Sequence, residues 1–161
     1  MADISVVWKK DLEFEGLSGA HRIPIDGNSE AGPSPVTLML QSVAACVGTD
    51  VVDILRKGRQ DLRGLNVEVE AERRTAHPRW VKSLLLRFYI EGDVSLAKAE
   101  RAVDLGLEKY CSVFHTFRKD MALDVSVTVS SANLDAEEPL KNAPHELEQR
   151  DQEYLPHDQS P

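Results

Sequence analysis

Length, composition and charge limit the class of protein. The chain has 161 residues with 42% hydrophobic and 29% charged side chains, which suits one packed domain and is too little for two full ones. The net charge is −8, but residues 131–161 hold eight acids and two bases, so the other 130 residues are almost neutral at −2. This balance excludes global disorder and argues against a general nucleic-acid binder, which needs a basic face.

Two cysteines and an ordinary N-terminus indicate a soluble cytoplasmic protein. Cys46 and Cys111 are too few and too far apart for a secreted disulfide framework or a CxxC motif. The first residues lack the pattern of a signal peptide, which is a basic segment followed by an apolar run. The longest nearly apolar stretch, 36–48, is shorter than a membrane span. We expect thiols in the cytoplasm, with neither a membrane nor a nucleic acid as partner.

The first 30 residues favour three short strands. An apolar run from Ile4 to Trp8 is followed by a turn at 9–11 and by alternating residues around Phe14. A third extended segment runs from about Ala20 to Ile25, and Pro24 within it indicates an edge strand.

A long helix is predicted from Pro35 to about Lys57. Ser34 suits the N-cap, Pro35 the first turn and Gly58 the end. Apolar residues cover most of its circumference, which predicts a helix buried at the centre of the structure.

The remaining segments predict two strands, a helix and a strand. Alternation gives strands over about 65–72 and 84–91, and a last strand over about 123–130. A second helix begins near Ser95, with an inner stripe of Leu96, Ala99, Val103, Leu107, Tyr110, Cys111 and Phe114. The order βββ-α-ββ-α-β indicates an α+β fold over 1–130, and we interpret the acidic, proline-containing 131–161 as a C-terminal tail.

Cys46 lies on the polar side of the long helix. A small buried cysteine is the simplest interpretation, but Asp50 and other polar residues share its face, so it could instead line a cleft. Asp50 would raise the pKa of a nearby thiol, so any activating cation must come from another element or another subunit.

Cys111 has three interpretations. It could be a core cysteine, a thiol that condenses with an oxidised Cys46, or part of a metal site with His115 at i+4 and Glu108 one turn before, which Cys46 could complete. Condensation requires the two helices to meet at the cysteines. The basic residues around Arg73 and Arg79 fit a solvated hairpin bend, and no phosphate loop, nucleophile elbow or HExxH motif is present.

Both cysteine segments resemble the OsmC/Ohr superfamily. Gly-Pro-Ser-Pro at 32–35 is followed by Ala-Ala-Cys at 44–46, as in the active-site helix of that family. Residues 50–61 (DVVDILRKGRQD) and 108–113 (EKYCSV) are most similar to its YhfA-like branch. The resemblance covers about residues 3–130.

The resemblance implies both a fold and an activity. The family fold is an intertwined homodimer whose two sheets wrap long central helices. The implied activity is thiol-dependent reduction of organic hydroperoxides, with hydrogen peroxide as a further candidate. By position, Cys46 is the peroxidatic thiol and Cys111 the resolving thiol. The implied partners are a small-molecule hydroperoxide and an external thiol or dithiol reductant, and we expect no bound cofactor or metal.

Three positions bear on the family's activating residues. Val36 stands ten residues before Cys46, where the peroxidase branches have Glu, and Thr37 stands nine before, where the YhfA-like pattern has Glu. Arg22 is the only Arg before Cys46 and is therefore the candidate for the Arg that the family sets against the thiolate. These positions keep a second interpretation open, a non-catalytic stress-associated dimer or a small-molecule-binding protein.

Overall fold

A computed structural model describes residues 4–131 of the chain, which form two compact units, 4–37 and 38–131. The predicted acidic tail lies outside the described residues except for Ser131, so its boundary stays a prediction. The element order is βββ-α-ββ-α-β with two three-stranded sheets, and the predicted α+β class is confirmed.

The first unit is an antiparallel sheet. Its strands are β1 (Ile4–Lys10), β2 (Glu13–Ser18) and β3 (His21–Asp26), in the order β1-β2-β3. The strand that contains Pro24 is an edge strand, as predicted. The first turn is shorter than predicted because β1 continues through Lys10, and the Trp8 indole N–H donates to the Asp11 carbonyl over 3.0 Å.

A buried carboxylate closes the loop after β3. Asp26 is 3% exposed and accepts hydrogen bonds from the backbone N–H groups of Asn28, Glu30 and Ala31 at 2.9–3.1 Å. These N–H donors hold the pKa of Asp26 below its usual value, since they favour the charged form. The loop leads directly to the cap of the long helix.

Helix α1 (Pro35–Lys57) begins and ends where the sequence predicted. The Ser34 hydroxyl accepts the Thr37 N–H over 3.2 Å, and the Gly58 N–H donates to the Ile54 carbonyl over 2.8 Å. Within this single chain the helix buries one stripe, formed by Val43, Val47, Gly48, Val51 and Leu55. By length and composition α1 is apolar enough to cross a membrane, and the apolar residues of its buried stripe belong to the hydrophobic core.

The second unit is a mixed sheet covered by helices. The strands β4 (Asp61–Arg73), β5 (Val81–Asp93) and β6 (Ala122–Ser130) have the order β4-β5-β6, with β5 antiparallel to β4 and parallel to β6. The central strand supplies four almost fully buried side chains, namely Leu84, Leu86, Phe88 and Ile90. Leu86, Phe88 and Ile90 form one core with the apolar residues of the α1 stripe and with the second helix.

The second helix is shorter than predicted. Helix α2 spans Leu96–Leu105 and is followed by a π-turn over Gly106–Tyr110 and a short 3₁₀ turn over Phe114–Thr116. The Cys111 N–H closes the π-turn on the Gly106 carbonyl over 2.8 Å. The wider turn breaks the three-and-four spacing of the predicted stripe. Tyr110 is therefore 48% exposed, whereas Cys111 is fully buried.

Candidate functional site

Two segments of the second unit approach each other closely at Gly106. A Cβ on Gly106 would lie 3.3 Å from a Val47 methyl carbon and 3.5 Å from the Asp50 Cβ. A larger residue would hold the segments apart, so the glycine permits the contact. Cys46 lies one residue before Val47 on α1, and Cys111 ends the π-turn that begins at Gly106.

The structure brings the two cysteines together and adds Asp50. The sulfurs of Cys46 and Cys111 and a carboxylate oxygen of Asp50 all lie within 4.8 Å of one another, and both cysteines are free thiols. The requirement for condensation, that the two segments meet at the cysteines, is fulfilled, although Cys111 follows α2 instead of lying within it.

The thiols differ in accessibility. Cys46 is half-buried, whereas Cys111 is 0% exposed. Burial, and after it the hydrogen bond to Cys46, raises the pKa of the Cys111 thiol to about 11. The Phe114 N–H donates to the Cys111 sulfur over 3.3 Å and opposes this increase. At neutral pH Cys111 is therefore a buried, protonated thiol next to Cys46.

Asp50 carries an oxygen without a hydrogen-bond partner. Its Oδ2 atom is buried and accepts no hydrogen bond from the described part of the chain. Burial raises the pKa of this carboxyl, and the nearby charge of Asp53 raises it further. The sequence placed Asp50 on the face of Cys46 but did not predict that it would join both thiols; the i+4 spacing from Cys46 was the available signal.

His115 lies outside the cluster. Its Nε2 lies 3.1 Å from the Glu108 backbone carbonyl, and its side chain is exposed. The predicted i, i+4 pairing with Cys111 is wrong because the π-turn ends at Cys111 and no regular helix continues through His115. Within 4–131, the metal-donor group that contains Cys111 has Cys46 and Asp50 as its other members.

The other singled-out residues have local partners. Arg22 donates to Glu15 over 2.8 Å within the first sheet, and the Thr37 hydroxyl lies 2.9 Å from that of Ser34 in the helix cap. The basic bend is a hairpin in which the Arg74 guanidinium stacks 4.5 Å from the Trp80 ring centre. These contacts account for local structure.

Comparisons with known proteins agree with this architecture. The model of the OsmC-like protein family matches residues 26–126. Protein YhfA of Escherichia coli K12 is 41% identical over 130 residues, which cover 79% of this chain and 97% of YhfA.

Solved structures show the same fold. A hypothetical protein from Aquifex aeolicus superposes with a TM-score of 0.75 at 28% identity, covering 81% of this chain and 96% of that one. An organic hydroperoxide resistance protein OsmC from Legionella pneumophila gives a TM-score of 0.63 at 16% identity, covering 80% and 97%. With the family model matching well over half of its length, the chain belongs to the OsmC-like protein family.

Proposed function

We propose that this protein is a thiol-dependent reductase of organic hydroperoxides, and also of hydrogen peroxide where that molecule can enter the site of the two thiols. One observation carries the proposal: two free thiols from separate segments lie within 4.8 Å of each other. Two sulfurs at this distance form a disulfide with small side-chain movements. Membership of a family that includes an organic hydroperoxide resistance protein supports the same chemistry.

Accessibility assigns the two roles. A hydroperoxide must reach the attacking sulfur, and Cys46 is the half-buried member of the pair. Cys111 is fully buried against Cys46, so it suits the thiol that condenses with an oxidised Cys46. Its raised pKa agrees with this order, since a protonated thiol is a poor first nucleophile.

The reaction balances with these two residues and one hydroperoxide. The Cys46 thiolate attacks the terminal oxygen, the O–O bond breaks, and the alkoxide takes a proton to leave as an alcohol. Cys46 is then a sulfenic acid. The Cys111 sulfur attacks the Cys46 sulfur, a disulfide forms, and the hydroxyl leaves as water with the proton of the Cys111 thiol.

An external thiol or dithiol completes the cycle. It transfers two electrons and two protons to the disulfide by thiol–disulfide exchange and is itself oxidised to a disulfide. The cytoplasm keeps such reductants available, and we place the protein there. No bound cofactor takes part in this scheme.

We also propose that the working unit is a homodimer. Ile4, Val6 and Trp8 alternate on β1 and are 73%, 57% and 63% exposed. By register they share a face with Phe14 on β2 and with Ile23 on β3, so the face is contiguous and apolar. A second copy covers it in the fold that the family resemblance implies.

The dimer is tested by sedimentation of matched variants. We expect Trp8→Glu, on the apolar face, to shift the protein toward monomer. Val7→Glu, on the opposite face of the same strand, should leave it dimeric. A wild-type protein that sediments as a monomer at micromolar concentration would contradict this proposal.

Activity is tested by peroxide consumption with dithiothreitol as reductant and cumene hydroperoxide as substrate. We expect Cys46→Ser to abolish consumption. In the absence of dithiothreitol, prereduced Cys111→Ser should consume one equivalent of hydroperoxide and keep a sulfenic acid on Cys46 that dimedone traps. Equal consumption by wild type and Cys46→Ser would overturn the proposal.

A non-catalytic role has one observation in its favour. The positions that hold Glu in the related patterns are Val36 and Thr37 here, and Thr37 is occupied in the cap of α1. A binding protein of this kind would show no thiol-dependent turnover in the same assay, with both cysteines still alkylated quantitatively after peroxide.

A further inference from the structure

The thiol pair and Asp50 form a set of metal-ligand atoms. Two cysteine sulfurs and one carboxylate oxygen, all within 4.8 Å of one another, are the donor types that zinc takes in proteins. With bond lengths of about 2.3 Å to sulfur and 2.1 Å to oxygen, a tetrahedral site holds its donors about 3.5–3.8 Å apart. The three atoms therefore need to close by about 1.3 Å at most.

The buried oxygen of Asp50 points to a ligand. Oδ2 is removed from solvent and accepts no hydrogen bond within the described residues, an arrangement that buried carboxylates usually avoid. Asp53, one turn on, is different, since it is exposed and accepts a 2.6 Å hydrogen bond from Lys57. The unpaired carboxylate is thus specifically the one beside the two sulfurs.

We propose that Cys46, Asp50 and Cys111 of the reduced protein bind one divalent cation of the zinc type, with the fourth position open. A dication offsets the mutual repulsion of two thiolates and a carboxylate held this close. Cys46 and Asp50 are only half-buried, so the cation has a path into the site. This site replaces the Cys–His arrangement suggested by sequence spacing and revises our expectation of no metal.

The cation and the disulfide exclude each other because both use the same two sulfurs. In this respect the inference rests on the proposed function. When a hydroperoxide oxidises the metal-bound thiolates, the two sulfurs give two electrons to the O–O bond and join as a disulfide. Two protons complete the alcohol and the water, and the cation is released. Bound zinc would thus slow the first turnover, and oxidation would expel it.

Binding is measured without peroxide, on the reduced, chelator-treated full chain under anaerobic conditions. We expect one Zn²⁺ per chain by titration calorimetry. Co²⁺ in the same site should show an intense thiolate charge-transfer band and the strong visible bands of tetrahedral coordination. Cys46→Ser should remove most of the charge-transfer intensity.

Asp50→Asn and Asp53→Asn form the matched pair. We expect Asp50→Asn, which keeps the shape of the side chain, to weaken Zn²⁺ binding about tenfold or more. Asp53→Asn and His115→Ala should bind as wild type does. Circular dichroism confirms that each variant is folded, and zinc protection of the wild-type thiols from iodoacetamide gives a readout that needs no variant.

Several results would overturn the inference: no stoichiometric binding by wild type, equal weakening by the two asparagine variants, or loss of binding in His115→Ala. A protein that consumes peroxide without binding zinc refutes only the metal site. A protein that binds zinc without consuming peroxide refutes only the proposed function.

Discussion

Replacing Gly106 by valine should separate the two cysteines. The first carbon of any side chain here would lie 3.3 Å from a Val47 methyl carbon, and valine adds two more carbons to that contact. Val47 is fully buried on α1, so it cannot swing aside into solvent. The π-turn that carries Cys111 must move away instead.

The magnitude follows from overpacking and backbone propensity. Extra carbons in a packed core destabilise the folded state by about 1–3 kcal/mol. The higher helix propensity of valine than of glycine offsets about 0.4 kcal/mol of that loss. We expect a net loss of about 1–2 kcal/mol in the free energy of unfolding, which is a urea midpoint lower by about 1 M. Because a displacement of about 1 Å slows reactions between positioned groups strongly, disulfide formation between Cys46 and Cys111 should slow about tenfold or more.

The assay combines urea unfolding with the rate of thiol loss after one equivalent of cumene hydroperoxide. Ala97→Val is the control, since it places the same side chain on an exposed position of α2. A Gly106→Val protein that is as stable as wild type and couples its thiols at the wild-type rate would refute the role assigned to this contact.

Three further predictions test the scaffold. Leu86→Ala on the buried face of β5 should lower the free energy of unfolding by about 2–5 kcal/mol, whereas Leu85→Ala on its other face should lower it by about 1 kcal/mol. Similar losses for the two variants would mean that the buried face of β5 is assigned incorrectly. Ser34→Ala removes the N-cap of α1 and should destabilise the protein by about 1 kcal/mol in urea unfolding, and an unchanged midpoint would mean that the cap is dispensable. The pKa of Asp26 is lowered in the folded state, so its contribution is complete at neutral pH and is lost as the pH falls through that lowered value. The stability advantage of wild type over Asp26→Asn should therefore shrink below about pH 4, and an advantage that grows with acidity would contradict the sign.

The sequence was most informative where local rules act alone. The limits of α1 follow from Ser34, Pro35 and Gly58, because capping and chain termination depend on neighbours in the sequence. The end of α2 could not be predicted in this way. Its π-turn arises where Gly106 packs against another helix, which is a tertiary contact that no periodicity records.

The site was predictable in part for the same reason. Paired cysteines in a recognisable order indicated a thiol pair, and the structure places them together. Spacing alone suggested His115 as the third group, because an uninterrupted helix would stack it on Cys111. The actual third group, Asp50, comes from the other helix and depends on how the two segments meet.

The most direct test of the central claim is a single turnover mapped by mass spectrometry. Reduced wild-type protein is mixed with one equivalent of cumene hydroperoxide, free thiols are blocked, and the peptides are analysed without reduction. We expect one intramolecular disulfide between Cys46 and Cys111, with one equivalent of the alcohol formed. Recovery of both cysteines as blocked thiols, with the hydroperoxide intact, would contradict the account.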